Sequence, residues 1–265
     1  MATVVFFHAH PDDEAIATGG TMAGLAADGH RVVVITATRG ELGEVPGDLS
    51  EDGESLADRR TDELTRACEV LGVSRLEFLG YRDSGMADES TNQQPECFAA
   101  ADVDEAAARL AATLDDERAD VLVAYDEHGG YGHPDHVQVH RVGMRGAELA
   151  GTARVYMATQ DRDYIQSLMR QAGVDGWSLP EDVAESTKTM GEPGSRITTE
   201  VDVTPWIGAK RRAMQAHPSQ IGETSFFLSM PEDVFETVWG REWYIRVRPE
   251  AADPHVGPRE TGLLG

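Results

Sequence analysis

Short unbroken apolar runs alternate, over the first 160 residues, with longer segments whose apolar positions recur at helical spacing. The runs cover residues 3–7 (TVVFF), 31–37 (RVVVITA), 121–125 (VLVAY) and 155–158, and residues 75–79 read as a further short strand. Unbroken apolarity over so few residues predicts strands buried on both faces. The periodic segments cover residues 15–27, 55–71, 104–114 and 135–150, with Gly29 and Gly72 as stops. Strands alternating with helices of this length predict right-handed βαβ units and an α/β, doubly wound, mostly parallel sheet. Residues 39–53 and 83–96 read as loops at the carboxyl ends of strands.

Beyond Thr159 the pattern weakens. Residues 178–195 are polar, with Pro180, Gly191, Pro193 and Gly194, and read as a mobile segment. Residues 196–203 alternate like an exposed strand, 205–217 read as a helix begun by proline, and 242–247 as a last strand. Residues 249–265 read as a loose tail. No linker cleanly divides the chain. The expected organisation is a core over 1–160, a smaller C-terminal α+β portion over 161–248 that packs on it and shapes a pocket, and the tail.

Two polar clusters interrupt this pattern, each after a strand and each opening a helix: His10-Pro11-Asp12-Asp13-Glu14 and His133-Pro134-Asp135-His136. In an open α/β sheet, ligands bind at the carboxyl ends of strands. Two imidazoles and a carboxylate converging there make a three-ligand metal site with room for water. In the first cluster, His10 and one aspartate would bind the metal while the other stays free for proton transfer. In the second, His133 and His136 are three apart and share a helix face. Each cluster alone also reads as ordinary helix capping by acidic residues or a surface histidine pair. Capping does not explain why Tyr131, His133, Asp135 and His136 crowd behind the glycines at 129, 130 and 132.

Composition narrows the partners. Basic residues number 23 against 47 acidic, a net charge of −24, which repels nucleic acid and anionic membrane. The two cysteines are no disulfide framework. Cys68 reads as a core residue and Cys97 as a free loop thiol, with a bridge between them left open. No leader or membrane-length apolar run is visible, so a cytoplasmic protein is expected. His8 and His140 read as packing residues, and His217 as packing or as lining a pocket. Trp177, Trp206, Trp239 and Trp243 read as core or interface, and Glu41 and Glu44 as solvated.

The two motifs, in order and each after a strand, resemble the PIG-L/LmbE-like zinc-dependent N-deacetylase family. Tyr81-Arg82-Asp83-Ser84-Gly85-Met86 and Gly129-Gly130-Tyr131-Gly132 are most similar to its mycothiol-type deacetylase/amidase branch. The resemblance covers roughly the first 160 residues and implies a Rossmann-like fold that hydrolyses an N-acyl group from an amino sugar. It implies His10, Asp13 and His136 as zinc ligands and Asp12 as general base. It implies a protonated His133 as electrostatic partner or acid, Tyr131 as oxyanion donor, and Asp135 as the group orienting His133. Arg60 and Asp83 would hold the sugar. Iron(II) would accept the same ligands as Zn2+. The expected partner is a small amino-sugar molecule, with homo-oligomerisation left open. An amidase acting on a thiol conjugate and a non-catalytic sugar-binding metalloprotein are the competing readings.

Overall fold

In a computed structural model of the chain, residues 1–44, 53–174, 188–225, 227–250 and 258–265 are described. The elements in order are β1 (Thr3–His8), α1 (Asp13–Ala17), α2 (Gly19–Ala27), β2 (Arg31–Thr36), α3 (Leu56–Leu71), β3 (Arg75–Phe78), α4 (Val103–Glu117), β4 (Val121–Tyr125), the single turn α5 (Gly129–Gly132), α6 (Pro134–Ala150), β5 (Arg154–Thr159), α7 (Arg162–Val174), β6 (Thr199–Asp202), α8 (Ile207–Gln215), α9 (Glu232–Trp239) and β7 (Arg241–Arg248). The strands form one sheet in the order β3-β2-β1-β4-β5-β7-β6. Strands β1 to β5 are parallel, and β7 runs antiparallel to both β5 and β6. The expected α/β architecture is therefore present.

The strand order fixes where a ligand belongs. The chain steps from β1 outward to β2 and β3, then returns to the other side of β1 for β4. The loops leaving β1 and β4 thus diverge to opposite faces and leave a crevice between the strand ends. His10 follows β1 and His133 and His136 follow β4. The strands beneath are immobilised by burial: Val4 to Phe7, Val32 to Ile35 and Val121 to Ala124 are almost wholly without solvent contact. Local signals set the helix ends. Ser55 accepts from the Asp58 amide at 3.1 Å and Gly72 closes α3 at φ 73°. Asp102 caps α4 by accepting from the Glu105 amide at 3.0 Å.

Several elements differ from expectation. The helix predicted over 15–27 breaks at Thr18, whose backbone turns to φ −139°. Its hydroxyl lies 3.1 Å from His8 Nε2 and donates to the Glu14 carbonyl. The new N-terminus of α2 is capped from far along the chain: Glu242 accepts from the Gly20 and Thr21 amides at 2.9 and 2.8 Å. Lys210, itself buried, pairs with Glu242 at 2.5 Å. Helices α7 and α9 were not expected. The tail is not loose at its described end, because Arg259 pairs with Glu200 and Asp161, Glu260 bridges to Thr199, and Leu263 is buried. Cys97 is a free thiol, as expected, and it is buried, donating to the Asp83 carbonyl. Of the segment expected to be mobile, residues 178–187 lie outside the described residues, as does Trp177. Its remainder is anchored, with the Glu192 amide donating to the Gln160 carbonyl at 2.9 Å. No described helix is long and apolar enough to cross a membrane.

Where β2 and β3 begin, Arg31 and Arg75 both pair with Glu117 of α4, at 2.5 and 2.8 Å. The hydrogen bond from Arg31 outweighs partial burial and, with Arg75, holds the Glu117 carboxyl down to about 2. A depressed carboxyl adds stability that is complete above its ordinary value near 4.5, declines as pH falls, and is gone below about 2. Both arginines are about one-third exposed, so screening limits the effect to roughly 1 kcal/mol. Glu117→Gln should lower stability by that order at pH 7, and the deficit should shrink toward pH 2.5 in urea titrations; a deficit independent of pH would rule this out.

Candidate functional site

The first cluster does not cap its helix. No side chain caps α1, and Asp12 sits at φ 114°, a conformation that costs a non-glycine residue on the order of 1–3 kcal/mol. Neighbours hold it there. The Asp12 amide donates to Glu14 Oε2 at 2.9 Å, and Glu14 Oε1 lies 2.7 Å from His217 Nε2 in a pair wholly withdrawn from solvent. Asp13 Oδ2 accepts from the His10 amide at 2.9 Å. The turn thus splits the adjacent carboxylates: Asp13 faces the histidines, while Asp12 lies beside Arg60 at 3.3 Å.

The second cluster does cap, through an imidazole. His133 Nδ1 accepts from the Asp135 amide at 3.1 Å, with Pro134 opening α6. The Asp135 carboxylate does not orient His133, contrary to expectation. It accepts from the Ser84 amide and hydroxyl at 3.0 and 2.5 Å and lies 3.1 Å from His10 Nε2. It therefore orients His10, across 125 residues of sequence. His136 Nδ1 lies 3.2 Å from the Gly129 carbonyl, which can only accept, so Nδ1 carries the proton.

These outer bonds decide what faces inward. His10 turns Nδ1 toward Asp13 Oδ2 at 3.5 Å, and His136 turns Nε2 toward Asp13 Oδ1 at 3.4 Å. His136 Nε2 is buried without a hydrogen-bond partner. A ring lone pair and a carboxylate oxygen facing each other leave a position suited to a cation. Two imidazoles plus a carboxylate, with outer N–H groups fixed by Asp135 and a backbone carbonyl, form the donor set of a three-ligand metal site. The rings of His10, His133 and His136 offer nitrogens within 4.8 Å of one another. The charge field agrees: burial opposes a charged His10, but Asp13, Asp135 and Asp83 outweigh it and hold its pKa well above 6.5. The site draws positive charge. His133 has the opposite character. Burial, then His10 and His136, lower its pKa to about 4, and its bond from the Asp135 amide needs an unprotonated Nδ1. The expected protonated ring is a neutral one in this setting.

Burial, opposed by Arg60 and reinforced by Asp13, raises the Asp12 carboxyl to about 6. Arg60 is buried rather than open to a sugar, donating to the Gly40 and Pro11 carbonyls at 2.8 and 2.6 Å as well as to Asp12. Asp83 is buried too, 3.5 Å from His10 Nε2 and accepting from the Leu42 and Gly85 amides. Glu41 is not merely solvated, since it accepts from the Asp83 amide at 3.0 Å. His8 bridges Tyr125 Oη and Thr18 beneath the site. His140 lies 3.0 Å from the Tyr125 carbonyl. His217 does not line the pocket directly but braces Glu14. Sequence reasoning missed Glu14 and Ser84 as supports; Glu14's place inside the first motif was the available signal.

A cavity of about 900 Å³ opens over Asp12, Asp13, Tyr131 and His136. Tyr131, 52 % exposed, stands at its mouth with its ring centroid 5.0 Å from that of His136. The remaining wall is largely apolar and comes from the second half of the chain: Ile165 and Leu168 of α7, and Val234, Val238 and Trp239 on α9.

Fold and site together define the class: α/β proteins with a candidate His-Asp-His metal centre at the switch point of an open sheet. The chain belongs to the PIG-L family, whose description as GlcNAc-PI de-N-acetylase matches residues 5–147. Similar proteins include a 1D-myo-inositol 2-acetamido-2-deoxy-alpha-D-glucopyranoside deacetylase of Nocardiopsis dassonvillei, 40 % identical over 97 % of this chain and 98 % of that one. A protein of the same name from Thermobifida fusca is 37 % identical over 98 % of both. Among solved structures, the N,N'-diacetylchitobiose deacetylase of Pyrococcus horikoshii superposes with a TM-score of 0.57 at 21 % identity, over 93 % of this chain and 86 % of that one. A 4-carboxy-2-hydroxymuconate hydratase from Pseudomonas putida (GalB) gives 0.57 at 20 % identity, over 95 % and 98 %. At these identities the likeness is one of fold, and a fold shared by a deacetylase and a hydratase does not itself select the reaction.

Gly129 sits at φ 64°, and a Cβ there would come within 2.6 Å of His136 Cβ and 2.7 Å of the Val137 nitrogen. Gly129→Ala should therefore displace His136 and weaken metal binding at least tenfold while the melting transition stays cooperative; unchanged metal content after dialysis would show that this carbonyl does not fix the ring.

Proposed function

We propose that this protein is a metal-dependent N-deacetylase of the cytoplasm that removes an acetyl group from a glucosamine-containing small molecule, inositol-linked N-acetylglucosamine first among them. The observation that carries the reading is the convergence of His10 Nδ1 and the partnerless His136 Nε2 on the two oxygens of Asp13. The full-length similarity to deacetylases acting on that inositol-linked sugar supports the substrate class. In this reading His10, Asp13 and His136 hold zinc or iron(II), which when bound would supply Lewis acidity toward an amide carbonyl.

The proton chemistry falls to the chain. Asp12, with a carboxyl near 6, takes a proton from water as the water oxygen forms its bond to the amide carbon. Tyr131 donates its hydroxyl to the developing oxyanion from the cavity mouth. His133, with Nδ1 already occupied, has its proton on Nε2 and donates as a neutral imidazole. As the carbon–nitrogen bond breaks, Asp12 returns its proton to the departing amine, leaving acetate and a free amino sugar. Arg60 positions Asp12, and Asp83 steadies His10. Residues 161–248 serve as the wall that shapes the pocket over the core at 1–160.

A second reading, amidase action on a bulky thiol conjugate, is favoured by the apolar cavity wall, which is larger than an acetyl group requires. In a competition assay, inositol-linked N-acetylglucosamine should be turned over in preference to a bulky thioether amide of the same sugar; the reverse preference would move the assignment to the amidase.

Two variants test the division of roles. Asp12→Asn should retain metal and lose roughly 10²–10⁴ in kcat. His136→Ala should lose, after dialysis, the metal that His10 and Asp13 would hold with it. Equal metal loss in both variants would overturn the scheme.

A further inference from the structure

On the outer side of the loop that carries Tyr131, three further donors meet. His128 Nε2 lies 3.4 Å from Glu192 Oε1 and 3.6 Å from Glu127 Oε1, and one donor atom from each residue falls within 4.8 Å of the others. For ligands about 2.0–2.2 Å from a tetrahedral zinc ion, neighbouring donors stand roughly 3.3–3.6 Å apart. Glu192 supplies the independent sign of a ligand. Its side chain is 3 % exposed, yet Oε1 has no hydrogen-bond partner and points at His128. A desolvated carboxylate oxygen without a donor is rare, and each instance calls for an explanation such as an ion.

The donors are held before any ion arrives. The Gly191 amide donates to the Gly130 carbonyl at 3.0 Å, tying the two contributing loops together. The Glu192 backbone is bonded on both sides, to Gln160 and Arg162. Asp126 Oδ1 accepts from the His128 and Gly130 amides at 3.0 Å each. The charge balance includes Arg196, whose Nη1 lies 3.0 Å from Glu127 Oε1 and 2.9 Å from Glu192 Oε2. It neutralises one of the two carboxylates and leaves one negative charge for an entering cation. His128 and Glu127 are exposed, so the fourth position is open to water.

We propose that Glu127, His128 and Glu192 form a second, peripheral site for a zinc-type divalent ion that fastens the Tyr131 loop to the segment around Glu192. One imidazole with two carboxylates selects a borderline transition metal over magnesium or calcium. The proposal does not depend on the reaction assigned above.

The test is zinc alone, added to the metal-free full chain by equilibrium dialysis with metal analysis. Wild type should take up two equivalents. His128→Ala changes a side chain 59 % exposed and should fold normally while losing the weaker equivalent. His136→Ala should lose the other one and keep this one, so failure at one centre is readable apart from failure at the other. Arg196→Gln, which removes the competing cation, should tighten the weaker equivalent severalfold. If His128→Ala binds as many zinc ions as wild type with the same affinities, or if wild type takes up only the equivalent that His136→Ala abolishes, the site does not exist.

Discussion

The structure turns on the carboxylate of Asp13 being met from two sides by imidazole nitrogens, those of His10 and His136. Neither ring holds that position alone. His10 is turned by Asp135, which is itself fixed by both donors of Ser84, and His136 is turned by a backbone carbonyl at a glycine. Each inner ligand is thus oriented by a bond on its far side, and both far-side partners, Asp135 and the Gly129 carbonyl, come from the stretch that follows β4. Geometry of this sort is specified by the sheet: only at the β1/β4 crevice do the two loops leave toward opposite faces and still lie side by side.

The second half of the chain holds this arrangement from behind. Three buried glutamates mark the seams. Glu14 meets His217, Glu63 accepts from the amide and hydroxyl of Ser219, and Glu242 of β7 caps α2 while pairing with Lys210. A buried charge left without its partner is strongly destabilising, so these contacts lock α8 and the segment after it against the motif-bearing helices. The same half supplies the apolar wall of the cavity. Catalytic polarity and pocket shape come from separate stretches of sequence, which lets one vary while the other stays fixed.

The sheet was legible because parallel strands buried on both faces leave unbroken apolar runs, and β1, β2 and β4 have almost no polar residue to confuse them. The two clusters were legible because their residues are contiguous. What escaped was whatever depends on distant partners. Helix α7 presents Ile165 and Leu168 to a cavity rather than to a packed core, so its apolar stripe is too thin to read. The break at Thr18 is set by His8 and Glu242, and the latter lies more than two hundred residues away. The resemblance puts Arg60 beside the sugar; its actual partners, two carbonyls and Asp12, become visible only once α3 lies beside the first motif. The resemblance makes Asp135 the partner of His133, and only its backbone amide is; the carboxylate points across the crevice to His10.

The positive backbone angle at Asp12 has a consequence beyond geometry. A residue kept in a conformation it disfavours, braced by a wholly buried Glu14–His217 pair, is set in place by the fold itself and not by whatever the pocket admits. Ease of folding and sharpness of alignment then compete at one position of the chain. Drift toward glycine there would relax the main chain and erase the acid in the same step, so selection for robustness alone would dismantle the centre from its first turn.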